Sequence, residues 1–178
     1  MFYIISALYY PYFFNPIKLF FCDLMQINVG DPSNLSPGIL FAILALLSIS
    51  IVITAFFIGF SNQANWSVNK KIFTKISGGI SAFFTALIFT SLHDEFILIA
   101  SIIGILPLTF VAIEIFKNRS DKAPILGLIS LLFLTFYNLT FYLNIFDFFW
   151  PIMQKTSIIL CLIWINFLTF KKSNFNLP

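Results

Sequence analysis

The chain has 178 residues, of which 60% are hydrophobic, 19% aromatic and only 10% charged. With a mean hydropathy of +0.97, it has too few polar side chains to coat a water-soluble globule of this size, and the composition is that of an integral membrane protein. The net charge of +3 is small and its basic residues are scattered, which argues against a nucleic-acid partner.

The first ten residues, MFYIISALYY, are apolar, but Pro11 and Pro16 follow and the run is too short to cross a bilayer, which takes about 20 residues. Residues 1–10 are therefore read as the outer end of a first helix. Residues 11–36 form an extracytoplasmic segment along the interface, a depth that suits Tyr9, Tyr10, Tyr12, Phe13 and Phe14. A cleaved signal peptide fits poorly, because no basic stretch precedes the apolar run and no A-x-A-like site follows it.

Five apolar runs of spanning length come next, at 37–60, 76–92, 96–116, 123–143 and 152–170. Short polar connections separate them: SNQANWSVNKKIFTK, HDE, KNRSDK and NIFDFFWP. Tight connections make sequence neighbours antiparallel neighbours. The expected fold is thus all-α, an integral membrane up-and-down helical bundle with five full transmembrane helices and a truncated first one, in a single domain.

Orientation follows from the basic residues. Lys70, Lys71 and Lys75, then Lys117, Arg119 and Lys122, then Lys171 and Lys172 all fall on one side in this scheme. The other side holds Asp23, Asp31, Asp94, Glu95 and Asp147, with only Lys18 and Lys155 as cations. The positive-inside rule makes the first side, and the C-terminus, cytoplasmic. Lysine supplies nine of the ten basic residues, and Ile, Phe and Asn abound, a usage that fits AT-rich codons and a bacterial cytoplasmic membrane.

Several features read as packing. Gly78, Ala82 and Ala86 form one row of small residues at helical spacing, and Ala100 with Gly104 another, suited to close helix approach inside the bundle or at a homo-oligomer face. Pro107 should kink its helix. Trp66, Trp150 and Trp164 are assigned to the membrane interfaces. Cys22 and Cys161 lie in apolar surroundings without CxxC spacing and read as packing residues.

Ionisable groups at membrane depth are functional candidates by default, and here they gather at one end. Asp23, His93, Asp94, Glu95, Gln154 and Lys155 fall at outer helix ends. Asn138 and Tyr142, spaced i,i+4, approach the same end, and Gln154, Ser157 and Cys161 continue a small polar stripe. The first reading of His93, Asp94 and Glu95 is a solvated hairpin between two helices. A metal set of Asp23, His93 and Asp94 is weakened by the single imidazole, so no metal or other cofactor is expected. A general acid or base acting in lipid chemistry is the other alternative. Lys155 reads as an interfacial side chain or an ion-pair partner, and Glu114 as one that reaches the cytoplasmic interface.

The order LYYP, CDL at 22–24, IFTSLHD at 88–94 and PIMQKTSIILCLIW at 151–164 resembles bacterial multi-pass proteins related to the domain-of-unknown-function 998 family, distantly similar to DRAM-like membrane proteins. The resemblance implies fold and topology, not activity. No phosphate loop, GxSxG elbow, HExxH or dinucleotide fingerprint occurs. The expectation is a non-enzymatic membrane protein whose partner is membrane lipid and which acts by packing or by recognising a lipid-like molecule through the outward polar cluster. A membrane-embedded lipid enzyme or a small-molecule transporter is the alternative.

Overall fold

Prolines start three of the long helices, where a missing N–H costs nothing and the fixed φ already suits the first turn. Pro37 opens α2 (Pro37–Gln63), Pro124 lies in the first turn of α5 (Ala123–Tyr142), and Pro151 is the second residue of α6 (Trp150–Phe170). Two further helices lie between α2 and α5: α3 (Val68–Ala86) and α4 (His93–Asn118), while a short α1 (Phe2–Leu8) precedes them all. Single 3-10 turns occur at Cys22–Met25 and Asp147–Phe149. This computed structural model describes residues 1–10, 14–25, 37–119 and 121–170, and all regular structure among them is helical. Pro11, Tyr12, Phe13, Lys171 and Lys172 lie outside the described residues, as does the whole segment at 26–36 with Asp31.

Helix ends are chemically marked. Asp94 and Glu95 occupy the first turn of α4 and Lys117 its last, each matching the sign that the helix dipole favours. Asp121 Oδ1 accepts the Ala123 N–H at 3.1 Å in a local turn that leads into α5. That helix stops in a Schellman motif: Asn144 takes a left-handed φ of 54°, with Ile145 N–H donating to Thr140 O and Asn144 N–H to Phe141 O.

Cross-helix contacts run in opposite directions along the chain and show the antiparallel order. From α3 to α4, Phe84 meets Phe96, Ser81 Oγ donates to the Ala100 carbonyl at 2.7 Å, and Phe73 meets Phe110. From α5 to α6, Phe141 meets Trp150 and Gly127 meets Trp164. The rows of small residues face inward. A Cβ at Gly78 would stand 2.3 Å from the Phe57 ring, and one at Gly104 would stand 2.5 Å from Ser81 Oγ, so both glycines permit backbone approaches that alanine would block.

Among the described residues four helices are long and apolar enough to cross a membrane: α2, α4, α5 and the stretch Asp147–Thr169, which takes in all of α6 but its last residue. The expected fifth, at 76–92, is different. Its helix starts eight residues earlier, takes Lys70, Lys71 and Lys75 into its first two turns, and ends at Ala86, with 87–92 forming turns. Lysine is a good helix former, so a polar sequence does not by itself delay a helix start.

At the end of the bundle that carries the lysines, Trp66, Val111, Ile115, Ala123, Trp164 and Leu168 close the core. The indole of Trp66 donates to Glu114 Oε2 at 2.5 Å and Asn118 donates to Oε1 at 2.7 Å, while Lys70 sits over the Trp66 ring, 4.1 Å from its centre. Glu114 thus ties the α2–α3 connection to α4. Trp164 corrects an expectation. It is fully buried against Gly127, so it is a core residue and does not belong to an interfacial belt.

Candidate functional site

Consecutive helices pack closely, but between α2, α3, α4, α5 and α6 they leave a cavity of about 210 Å³. Its walls are mainly Ile and Leu from α2, α4 and α6, among them Ile49, Ile53, Ile97, Ile105, Ile158 and Leu162. Small side chains on α3 and α4, namely Ser81, Ala100, Ser101 and Gly104, make the room. The Phe57 and Ile165 side chains reach it from the closed, lysine-bearing end.

The N-terminal part of the chain covers the other end. Tyr3 of α1 stacks on Phe21, with ring centres 4.4 Å apart and planes 15° off parallel, and both rings line the cavity with Cys22 and Met25. Leu24 and Met25 are buried against Ala42 and Leu46 of α2. Residues 14–25 therefore fold over the bundle end and do not simply trail along it.

Two neighbouring residues of α6 hold this cover. Gln154, buried, accepts the Phe21 N–H through Oε1 at 3.0 Å and points Nε2 at Cys22 Sγ, 3.7 Å away. Lys155 donates to the Leu19 carbonyl, and to that of Pro151 at 3.1 Å. Asp23 Oδ2 accepts the Phe20 N–H at 2.6 Å, which fixes the short 3-10 turn locally. Burial pushes the Cys22 thiol up to about 11, with Asp23 and Asp94 adding to the rise and the contact with Gln154 opposing it. Burial likewise raises the Tyr3 hydroxyl above its ordinary value.

The expected polar cluster is thus divided. Gln154 and Asn138 line the cavity, together with Ser157 and Cys161 of the α6 stripe. Asn138 is anchored within its helix, donating to Leu134 O at 2.8 Å. Asp23 and Lys155 hold the cover from beside it. His93, Asp94 and Glu95 do not line the cavity. They begin α4, where His93 Nε2 lies 3.2 Å from Asp94 Oδ1 with both side chains well exposed, at 40% and 64%. Tyr142 is also exposed and outside the lining. The triplet that interrupts the apolar sequence is therefore the solvated first turn of a helix.

Among the described residues no three His, Cys, Asp or Glu side chains come together to hold a metal ion. Both cysteines are free and both line the cavity. Sequence reasoning missed Tyr137, Ser81, Thr85 and Ser101. Tyr137 adjoins Asn138 and is buried, touching Gln154. The signal for the hydroxyls was weak, because Ser and Thr commonly bond the carbonyl one turn back, as Thr85 does to Ser81 O, and so resemble inert helix positions.

Comparison with models of known protein families, with curated proteins and with solved structures finds no match to this chain. The class that the structure itself defines is a protein that is all-helical among the described residues, with four helices there able, by length and composition, to cross a membrane.

Proposed function

We propose that this is a multi-pass protein of the bacterial cytoplasmic membrane that receives the apolar tail of a lipid-like molecule in the cavity between α2 and α6. The observation that carries the reading is the cavity itself: a space walled by aliphatic side chains between helices that include the four long and apolar enough to cross a membrane, with a cover held by Gln154 and Lys155. In this reading α3 also crosses. Its 19 residues extend about 28 Å at 1.5 Å per residue, near the ~30 Å of a hydrocarbon core, and its three lysines can snorkel at the entry end. The lysine-bearing end then faces the cytoplasm and the covered end faces out, as the resemblance to the domain-of-unknown-function 998 group also implies. Among the described residues no Asp, Glu, Lys, Arg or His lines the cavity, which favours recognition over proton-transfer chemistry.

The topology predicts that reporter tags after Lys71, within 117–122 and at Pro178 read as cytoplasmic, and that a tag next to Asp94 reads as external. One reversed tag among the four would break the alternating scheme.

The ligand reading predicts that the chain purified in mild detergent keeps a lipid-like species at near one-to-one ratio in native mass spectrometry. Ser101 lines the cavity and the neighbouring Ile102 is exposed. Ser101→Phe should therefore fill the space and lose the species, while Ile102→Phe keeps it. Equal retention by the two variants, or none by the parent, would contradict tail binding here.

A further inference from the structure

Compared with a helix of a water-soluble protein, α3 is inside out. Thr74, Ser77, Gly78, Ser81 and Ala82 are buried, while Ile72, Phe73, Ile76, Ile80 and Phe83 are exposed. Small and hydroxyl-bearing residues suit close contact between helices and large apolar ones suit lipid, so the exposed side faces acyl chains. On that side, away from the covered cavity, a groove of about 560 Å³ runs between α3 and α4, walled by Ile72, Phe73, Ile76 and Ile80 of one helix and by Ile102 and Leu106 of the other. Asn69, exposed, ends the groove at the lysine-bearing end. Its length fits one leaflet: from Asn69 to Ile80 α3 rises about 17 Å at 1.5 Å per residue, against ~15 Å for half of a hydrocarbon core.

A cation with unused donors stands beside the polar end. Lys70 Nζ lies 4.1 Å from the centre of the Trp66 ring and 5.1 Å from that of Phe110, and the Phe110 ring packs on Phe73 of the groove wall. Its distance to Glu114 Oε2 is 3.9 Å, too long for a hydrogen bond, and both Glu114 oxygens already accept, from Trp66 Nε1 and from Asn118. The two rings hold the ammonium in place while its N–H groups remain open to an acceptor from outside the protein. Lys71 follows in the chain and Lys75 lies one turn further, so the charge at this end is positive despite Glu114. A second copy of the chain fits the groove poorly. Copies in one bilayer share an orientation, and two-fold pairing through this face would bring their lysine ends together.

We infer that the groove is a lipid site in its own right, which seats one acyl chain of an acidic phospholipid with the phosphate at Lys70 and Asn69. This rests on α3 lying in the bilayer, as proposed above, and not on the ligand of the covered cavity.

The groove opens onto the bilayer, so its lipid exchanges into detergent and is added back for the test. The full chain in mild detergent is titrated with phosphatidylglycerol or with phosphatidylcholine of the same acyl chains, and native mass spectrometry counts the lipid bound beyond any species retained through purification. Phosphatidylglycerol should bind about five-fold more tightly, the effect of one lysine near a membrane surface. Lys70→Gln should abolish that preference, whereas Lys70→Arg should keep it, as should Lys122→Gln, which removes a charge at the same end outside the groove. Ile76→Trp, which crowds the groove, should weaken the binding of both lipids, and Phe83→Trp, on the same face of α3 beyond the groove, should not. Ser101→Phe, which fills the covered cavity, should change none of this, so the two readings fail separately. Equal binding of the two lipids, a preference that survives Lys70→Gln or falls as far in Lys122→Gln, or Ile76→Trp behaving like Phe83→Trp would each overturn the inference. So would loss of the added lipid in Ser101→Phe, which would move it to the cavity, or a dimer in nanodiscs that Ile76→Trp breaks, which would give the face to a second copy.

Discussion

Trp164→Ala is expected to lower the unfolding free energy of the detergent-solubilised chain by about 2–4 kcal/mol, the largest single-residue loss in the bundle. Large-to-small changes at buried aromatic positions in soluble proteins cost about 3–5 kcal/mol, part of it lost hydrophobic transfer. In lipid or detergent that transfer part shrinks, because the solvent is itself apolar, and the packing part remains. Trp164 is 0% exposed, and its indole fills the space that Gly127 leaves open, since a Cβ there would stand 2.6 Å from the ring. Its Nε1–H is buried without a partner, so Trp164→Phe removes an unmatched donor as it removes volume and should cost less than half as much. Denaturant titration of both variants in one detergent checks this. A Trp164→Ala loss below about 1 kcal/mol would mean that α5 and α6 do not pack as described.

Gln154→Ala should release the cover. Its Oε1 is the acceptor for the half-buried Phe21 N–H, and losing that bond costs roughly 1 kcal/mol, enough to shift a locally folded segment toward its open form. Cys22 registers the change. Its thiol is pushed up to about 11 chiefly by burial, against an ordinary value of 9.0. A raised value keeps the thiol protonated, and hence slow to alkylate, until the pH approaches it. In a Cys161→Ser background, the pH profile of Cys22 alkylation should inflect near 11 for the parent and move down toward 9 in Gln154→Ala, because water reaching the sulfur outweighs the loss of the Gln154 contact, which by itself would move it up. An inflection that rises would show that the contact is lost while the cover stays in place.

Much of this architecture is legible in the sequence because bilayers impose long apolar runs. The helices expected at 37–60, 96–116, 123–143 and 152–170 appear as Pro37–Gln63, His93–Asn118, Ala123–Tyr142 and Trp150–Phe170, with ends displaced by three residues or fewer. Hydropathy failed at α3, where it tracks where apolar residues cluster and not where backbone hydrogen bonds begin. The lysines it took for a loop are helical, and the apolar 87–92 stretch it took for helix is turn.

For the site, helical spacing identified the Gln154, Ser157 and Cys161 stripe, because residues three and four apart share a face whatever they pack against. For His93, Asp94 and Glu95 charge density alone left a solvated turn and a site both open, since acidic residues at a helix start are favoured there by the dipole and by water without any ligand. The cover was not legible. Nothing local in residues 14–25 specifies that Phe21 and Leu19 will meet Gln154 and Lys155, which lie more than 130 positions away in sequence.

The most direct measurement of the central claim is an experimental structure of the chain purified in lipid nanodiscs, at a resolution that shows side chains and bound lipid. Tail binding predicts elongated density in the cavity beneath Phe21 and Gln154, running along Ile49, Ile105 and Leu162. A cavity closed by inward movement of α4 and α6, with no density between the helices, would contradict it.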